Sequence, residues 1–362
     1  MKRNLTRKLI LSVSALACTA VCLSSTTYAW FAKNKIAWTD EFQIRLYTEE
    51  GLQISVDGEN YFDSITKAQL TKALAVERYN AANPDNTKTY ATISDEEVTA
   101  WGTTSLSPVS PDSNWNFWGF NTTDNLEDNQ DKYFDSVNKL YVPVNLTEAN
   151  KTKSYLKFDL YFRAIPSSKS PKERYNLVFA DQATAEGMGV TRITGQPSTV
   201  KLYNKLNVLE SKDTRENPET RGLYKALDEI TINPADAMRI AVIGDNNSTT
   251  VYEPNEGLGS TAYEGAAEGL NDPQTNPMVT YFNNTHSKGN LKLLHNISDK
   301  VETKKNFEDK ISFGTFVKKD DGTYNNLKAT FYIWLDGYDA DYLEGVNTDS
   351  ISFFLNFTKV EG

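Results

Sequence analysis

The stretch LKATFYIWLD, residues 327–336, decides the fold class. Leu327, Ala329, Phe331, Ile333 and Leu335 alternate with Lys328, Thr330, Tyr332 and Trp334, a period of two that belongs to a strand and not to a helix. A strand of this pattern buries one face and leaves the other largely wet, as antiparallel sheets do. Asp320-Asp321-Gly322, just upstream, supplies a hairpin turn.

The same period recurs outward from this stretch. Leu156, Phe158, Leu160 and Phe162 alternate with charged and tyrosine side chains. Met238, Ile240 and Val242 do so around Arg239 and Ala241, and Ile351, Phe353, Leu355 and Phe357 repeat it. Near the start, Phe42-Ile44-Leu46 and Leu52-Ile54-Val56 follow suit, with Asp57-Gly58 as a turn signal. Helical spacing is confined to one segment, capped by Ser64 or Thr66 and running through Leu70, Ala73, Leu74 and Glu77 to Tyr79, with Pro84 beyond it. No βαβ alternation calls for a parallel sheet. Residues 84–139 and 244–310 are rich in turn-forming side chains and read as two long loop insertions. The expected fold is therefore all-β and mainly antiparallel: one β-sandwich domain over 30–362, with one short helix and two decorated loops.

Residues 1–29 read as a secretory signal peptide. Lys2, Arg3, Arg7 and Lys8 form a basic start, Leu9 to Leu23 is mostly apolar, and Thr27 and Ala29 give a small-x-small cleavage site. Two other readings stay open: an uncleaved anchor, for which the apolar run is short, and a lipoprotein signal built on Cys18. Cleavage after Ala29 removes both cysteines, Cys18 and Cys22, and with them any disulfide or thiolate metal site. It leaves 34 basic against 48 acidic side chains, a net charge of −14. No basic block remains as a phosphate footprint, so nucleic acid is not an expected partner. Membrane contact is expected only through the signal peptide, and the mature chain is expected outside the cell or on its surface.

The junction TTYAWF at 26–31, followed by EFQIRLYTEEGLQISVDG at 41–58, resembles the start of the TasA/camelysin family of bacterial secreted proteins with SipW-type signal peptides. YLKFDLYFRA, ADAMRIAVI and FYIWLDGYDADYLEG leading to ISFFLNF are similar to later blocks of that family. The resemblance covers about a third of the chain and none of the middle insertions. It implies a jelly-roll-like sandwich that is displayed on the surface or laid into extracellular biofilm fibres. It also implies assembly by donation of an N-terminal strand. Carried over, that role falls on the segment beginning at Trp30, with Trp30, Phe31, Ile36 and Trp38 as its apolar anchors. Trp30 and Phe31 are adjacent, which breaks alternation, while Ile36 and Trp38 keep it. Burying one such side chain gives roughly 1.5–3 kcal/mol, so this terminus calls for a groove in the same chain or in a neighbour.

Camelysin is described as a protease, which raises the question of catalysis. The two histidines, His286 and His295, stand nine apart in a polar stretch, and no His-Glu-x-x-His occurs. No Gly-x-Ser-x-Gly elbow occurs either. The residues thus point away from an enzyme and call for no cofactor. Asp336, Asp339, Asp341 and Glu344 offer hard oxygen ligands suited to Ca²⁺, although their spacing is not an EF-hand and a solvated acidic turn is the simpler reading. Trp115, Phe117, Trp118 and Phe120 interrupt a polar insertion. They either stack on sugar rings as ligand contacts or pin the insertion to the sandwich. Asn-x-Ser/Thr sequons at Asn121, Asn145, Asn150, Asn247, Asn283, Asn296 and Asn356 read as compositional asparagine richness. Two function classes result. One is a structural subunit that polymerises with itself or with related matrix proteins; the other is a monomeric surface adhesin for glycan or host protein.

Overall fold

The alternating stretch at 327–336 is a strand inside a nine-stranded sheet, and a six-stranded sheet packs against it. The computed structural model describes residues 43–48, 51–102, 106, 108–111, 115–119, 134–135, 140–141, 144–145, 154–166, 172–180, 190–201, 229–252, 301–304, 307, 310–336 and 351–362. The first strands are β1 (Gln43–Thr48), β2 (Leu52–Ser55), β3 (Ser64–Ile65), β4 (Pro108–Pro111), β5 (Phe117–Gly119), β6 (Phe134–Asp135), β7 (Leu140–Tyr141) and β8 (Val144–Asn145). Next come β9 (Leu156–Ala164), β10 (Arg174–Phe179), β11 (Arg192–Thr194), β12 (Ser198–Lys201), β13 (Glu229–Ile232) and β14 (Met238–Ile243). The last are β15 (Thr249–Tyr252), β16 (Val301–Lys304), β17 (Gly314–Val317), β18 (Leu327–Asp336) and β19 (Ser352–Glu361). Two α-helices, α1 (Lys67–Ala82) and α2 (Asp95–Trp101), lie between β3 and β4.

The larger sheet runs β16-β15-β14-β18 and then forks. β9 pairs with Leu327–Ile333 of β18 and carries β2 on its far side. β4 takes up the last two residues of β18 and leads to β5 and β8. The smaller sheet runs β17-β10-β19-β1-β3, with β11 also on β19. Three pairings are parallel, β1 with β19, β15 with β16 and β18 with β4; the others are antiparallel. β6–β7 and β12–β13 form separate two-stranded sheets. The class is an all-β sandwich, mainly antiparallel.

The inward residues of the two sheets mesh in one core. Phe162 of β9 meets Phe357 of β19 edge-on at 4.9 Å, and Phe331 of β18 meets Phe357 at 5.8 Å. Phe179 of β10 lies 4.7 Å from Phe313 and 5.4 Å from Phe357. This interleaving is the usual way in which two half-apolar sheets bury their faces. Leu70 and Leu74 of α1 join the same cluster, so the helix covers part of the core that the strands leave open.

Local signals set the element ends. α1 starts at Lys67 because Thr66 accepts from the Gln69 amide while the Gln69 side chain accepts from the Thr66 amide. Ser64, the other expected cap, is instead in β3 opposite Tyr47. The helix runs past Tyr79 to Ala82, and Asn83 ends it. α2 lies where the sequence suggested only loop, and a second reciprocal cap between Ser94 and Glu97 starts it. The expected loop at 244–310 likewise contains β15 and β16. Both turn signals hold: Gly58 sits at φ +76° and Gly322 at φ +83°, conformations in which a Cβ is strained. At the second turn Lys319 N–H donates to the Thr323 carbonyl at 2.7 Å.

Three places where strand pairing stops are sealed by single residues. Asn325 lies along the outer edge of β17, where its Oδ1 accepts from the Val317 amide and its Nδ2 donates to the Thr315 carbonyl at 3.3 Å. Phe62 bridges Ile54 of β2 through two backbone bonds of 2.8 Å. Between β10 and β11, the Thr191 hydroxyl donates to the Asn356 carbonyl at 2.8 Å and accepts from the Asn356 amide at 3.1 Å. The hydroxyl thus supplies the acceptor that the Asn356 amide lacks in the backbone, while the Asn356 carbonyl also accepts from the Ala180 amide at 2.8 Å.

Candidate functional site

The outer face of the larger sheet departs from the sequence expectation. Tyr332 and Trp334 point away from the core, yet Tyr332 is 8% exposed and Trp334 is fully buried. Arg239, Ala241 and Val251 on neighbouring strands are fully buried outside the main core as well. The far end of the β18 face expected to be wet, from Tyr332 on, is instead covered.

The cover comes from the aromatic insertion. Trp115 stacks on Tyr332 at 4.6 Å with the planes 15° apart, and meets Trp334 edge-on at 6.2 Å. Phe117 of β5 stacks on Tyr155 at 3.8 Å and meets Trp334 edge-on at 5.8 Å. β5 is held in place through β4, which pairs with Leu335 and Asp336 of β18. Trp115 adopts φ +60°, an outlier for a bulky side chain, and its stack on Tyr332 holds it there.

Charged groups fringe this wall. Lys157 pairs with Glu77 of α1 and lies 6.0 Å from the Tyr332 ring centre. Burial pulls the Lys157 ammonium down, but the bond it donates to Glu77 and the charge of that carboxylate outweigh this and hold it above its ordinary value, so the group stays a cation. Burial, reinforced by the Glu77 and Asp159 carboxylates, pushes the Tyr332 phenol up to about 12, so it stays neutral. Arg78 of α1 is buried and donates to the Trp101 carbonyl at 2.9 Å and the Tyr155 carbonyl at 3.1 Å. Burial lowers its guanidinium to about 10, which leaves it charged. Arg239 sits across from Trp334 in register and donates to the Asp236 and Met238 carbonyls, both at 2.9 Å. Neutral rings with cations anchored on carbonyls make a packed polar fringe around the aromatic wall.

The expected ligand contacts therefore divide. Phe117 is enclosed on both sides by protein rings and has no face for a sugar, which corrects its expected role as a contact. Trp115 keeps partial exposure. Trp118 is placed only by its backbone, opposite Ser110 and Asn145. Phe120 lies outside the described residues, as do Thr27, Ala29, Trp30, Phe31, Ile36 and Trp38. Of the proposed calcium ligands, Asp336 closes β18 opposite Val109, and Asp339, Asp341 and Glu344 lie outside the described residues. Among the described residues no group of three metal-ligating side chains gathers. Tyr155, Tyr332 and Trp334 were missed as members of the aromatic wall; the signal was two large aromatics on the polar phase of β18.

Among the described residues no helix is long and apolar enough to cross a membrane. No family model, curated protein or solved structure matches the chain.

Proposed function

We propose that the chain is an exported structural subunit of a bacterial cell-surface or extracellular-matrix fibre. In this reading residues 1–29 direct export, and the segment Trp30–Trp38 is donated as a strand to a neighbouring copy or a related matrix subunit. The observation that carries the reading is the placement of β1. It runs parallel to the last strand, β19, over six residue pairs, beside the two-residue rim strand β3. β1 thus begins, at Gln43, beside a sheet rim. From there an apolar extension can reach a second molecule. The sealed edges at β17 and β2 favour the same reading, since a subunit that polymerises in one direction must block the edges it does not use.

The competing adhesin reading needs open aromatic faces in the insertion, and the enclosure of Phe117 weakens it. The role proposed is mechanical and assigns the chain no catalysis and no cofactor.

The test is to isolate exported material, sequence its N-terminus and image it by negative stain. A start at Trp30 or within a few residues, together with unbranched fibres, is the expected result. A lipid-modified Cys18 as first residue, or particles that stay monomeric at every concentration, overturns it.

A further inference from the structure

The fold treats the Asn-x-Ser/Thr sequons unequally. Asn356 lies within β19 at 3% exposure, with its backbone bonded to Thr191, and no enzyme can reach its amide. Asn145 is in β8, paired with Trp118. Asn247 is at the exposed tip of the β14–β15 hairpin, at φ +60°.

Asn246, not Asn247, closes that tip. Its Oδ1 accepts from the Ser248 amide at 3.0 Å and from the Ser248 hydroxyl at 2.6 Å. The Asn247 backbone amide donates to the Gly244 carbonyl at 2.9 Å. The Asn247 side chain is thus left to solvent, with Thr249 two residues on to complete the sequon. Two residues upstream is Asp245, exposed, whose Oδ1 accepts from the Lys328 amide at 3.3 Å. A carboxylate fixed at that distance gives a cationic transferase site a second grip on the same turn.

We propose that Asn247 is an acceptor for an N-linked oligosaccharide, with Asp245 as the carboxylate by which the transferase positions the hairpin. This rests on the exported reading, because the donor is a lipid-diphosphate-linked oligosaccharide on the far side of the membrane. In the transfer, Asn247 Nδ2 forms a bond to the anomeric carbon. The bond from that carbon to the diphosphate oxygen breaks, the lipid diphosphate leaves with the electron pair, and an Nδ2 proton passes to a base of the transferase. A hairpin tip tolerates so bulky a group because it faces solvent. Glu148 stands in the same relation to Asn150, but that pair lies outside the described residues.

The test uses the full chain in a bacterium that carries an oligosaccharyl transferase and its lipid-linked donor. One version keeps the chain's own leader and one carries a general export leader. Site-resolved mass spectrometry of the exported chain should place the glycan on Asn247 and not on Asn246, whose Asn246-Asn247-Ser248 run is also a sequon. The glycan should be lost in Asn247→Gln, reduced in Asp245→Ala and absent from Asn356 throughout. An exported chain with bare Asn247 overturns the proposal, as does a glycan on Asn356. If only the general leader gives exported, modified protein, the export reading of residues 1–29 falls and the Asn247 assignment stands.

Discussion

Phe331 and Tyr332 are neighbours in β18 that serve two different layers. Phe331 faces the sandwich core, stacked near Phe158 at 5.6 Å, while Tyr332 faces the aromatic wall under Trp115. Truncating either leaves a cavity between rings that cannot collapse easily. Phe331→Ala should cost about 3–5 kcal/mol, and Tyr332→Ala should cost ~3 kcal/mol, because both sides of the strand are filled. Lys328→Ala, on the exposed start of the same face, should stay within ~0.5 kcal/mol. Denaturant midpoints for the three variants check this, and a Tyr332→Ala shift as small as that of Lys328→Ala would mean that the outer face is wet. At the first turn, burial tends to raise the Asp57 carboxyl. Bonds from the Asn60 side chain and amide, Ser55 and the Glu59 amide outweigh this and bring it down to about 2. A folded pKa below the unfolded value means stability that is present above about pH 4 and is lost as pH falls through about 2. Asp57→Asn should therefore melt below the wild type at neutral pH, and the gap should narrow between pH 4 and 2. A gap that is constant with pH would contradict the assignment.

Among the elements, β10 and β11 act as one strand with a break, and Thr191 closes the break. Thr191→Val keeps the volume and removes both bonds to Asn356, leaving the buried Asn356 amide without its acceptor while the carbonyl keeps its bond from the Ala180 amide. The expected loss is about 1–3 kcal/mol, with faster amide exchange at Asn356 and unchanged exchange in β14. Equal exchange in both would show that the threonine is only filling space. The alternation of β9, β14, β18 and β19 was readable because one face of each lies in a continuous core. α2 was missed because seven residues offer too few turns for periodicity to register, although Ser94-x-x-Glu97 carries the capping signature. The covered outer face was half legible, since Tyr332 and Trp334 are poor choices for a wetted face. The residues that cover it are more than 150 positions away, and no local pattern encodes that contact. Arg78 gave no sign either, because an arginine on a helix is ordinarily solvated. The parallel β1–β19 pairing joins the two ends of the described chain and likewise leaves no local trace.

At the scale of the whole molecule, the sandwich is a body with several edges sealed and an aromatic wall that locks an insertion to its outer side. The proposed assembly depends on what precedes β1. An adjacent Trp30-Phe31 pair, followed by Ile36 and Trp38, is a large apolar surface to leave in water, and in the proposed assembly an edge groove of a neighbour takes it up. The segment carries Lys33 and Lys35 and no acid, against a net charge of −14 for residues 30–362, a charge contrast that favours the proposed docking. The most direct measurement compares polymer formation by the mature chain with that of a chain lacking Trp30 to Lys35, by negative-stain microscopy and sedimentation. Circular dichroism and thermal melts should confirm that both fold alike. The account predicts ordered fibres from the first and monomers from the second; fibres of the same form and amount from the truncated chain would contradict it.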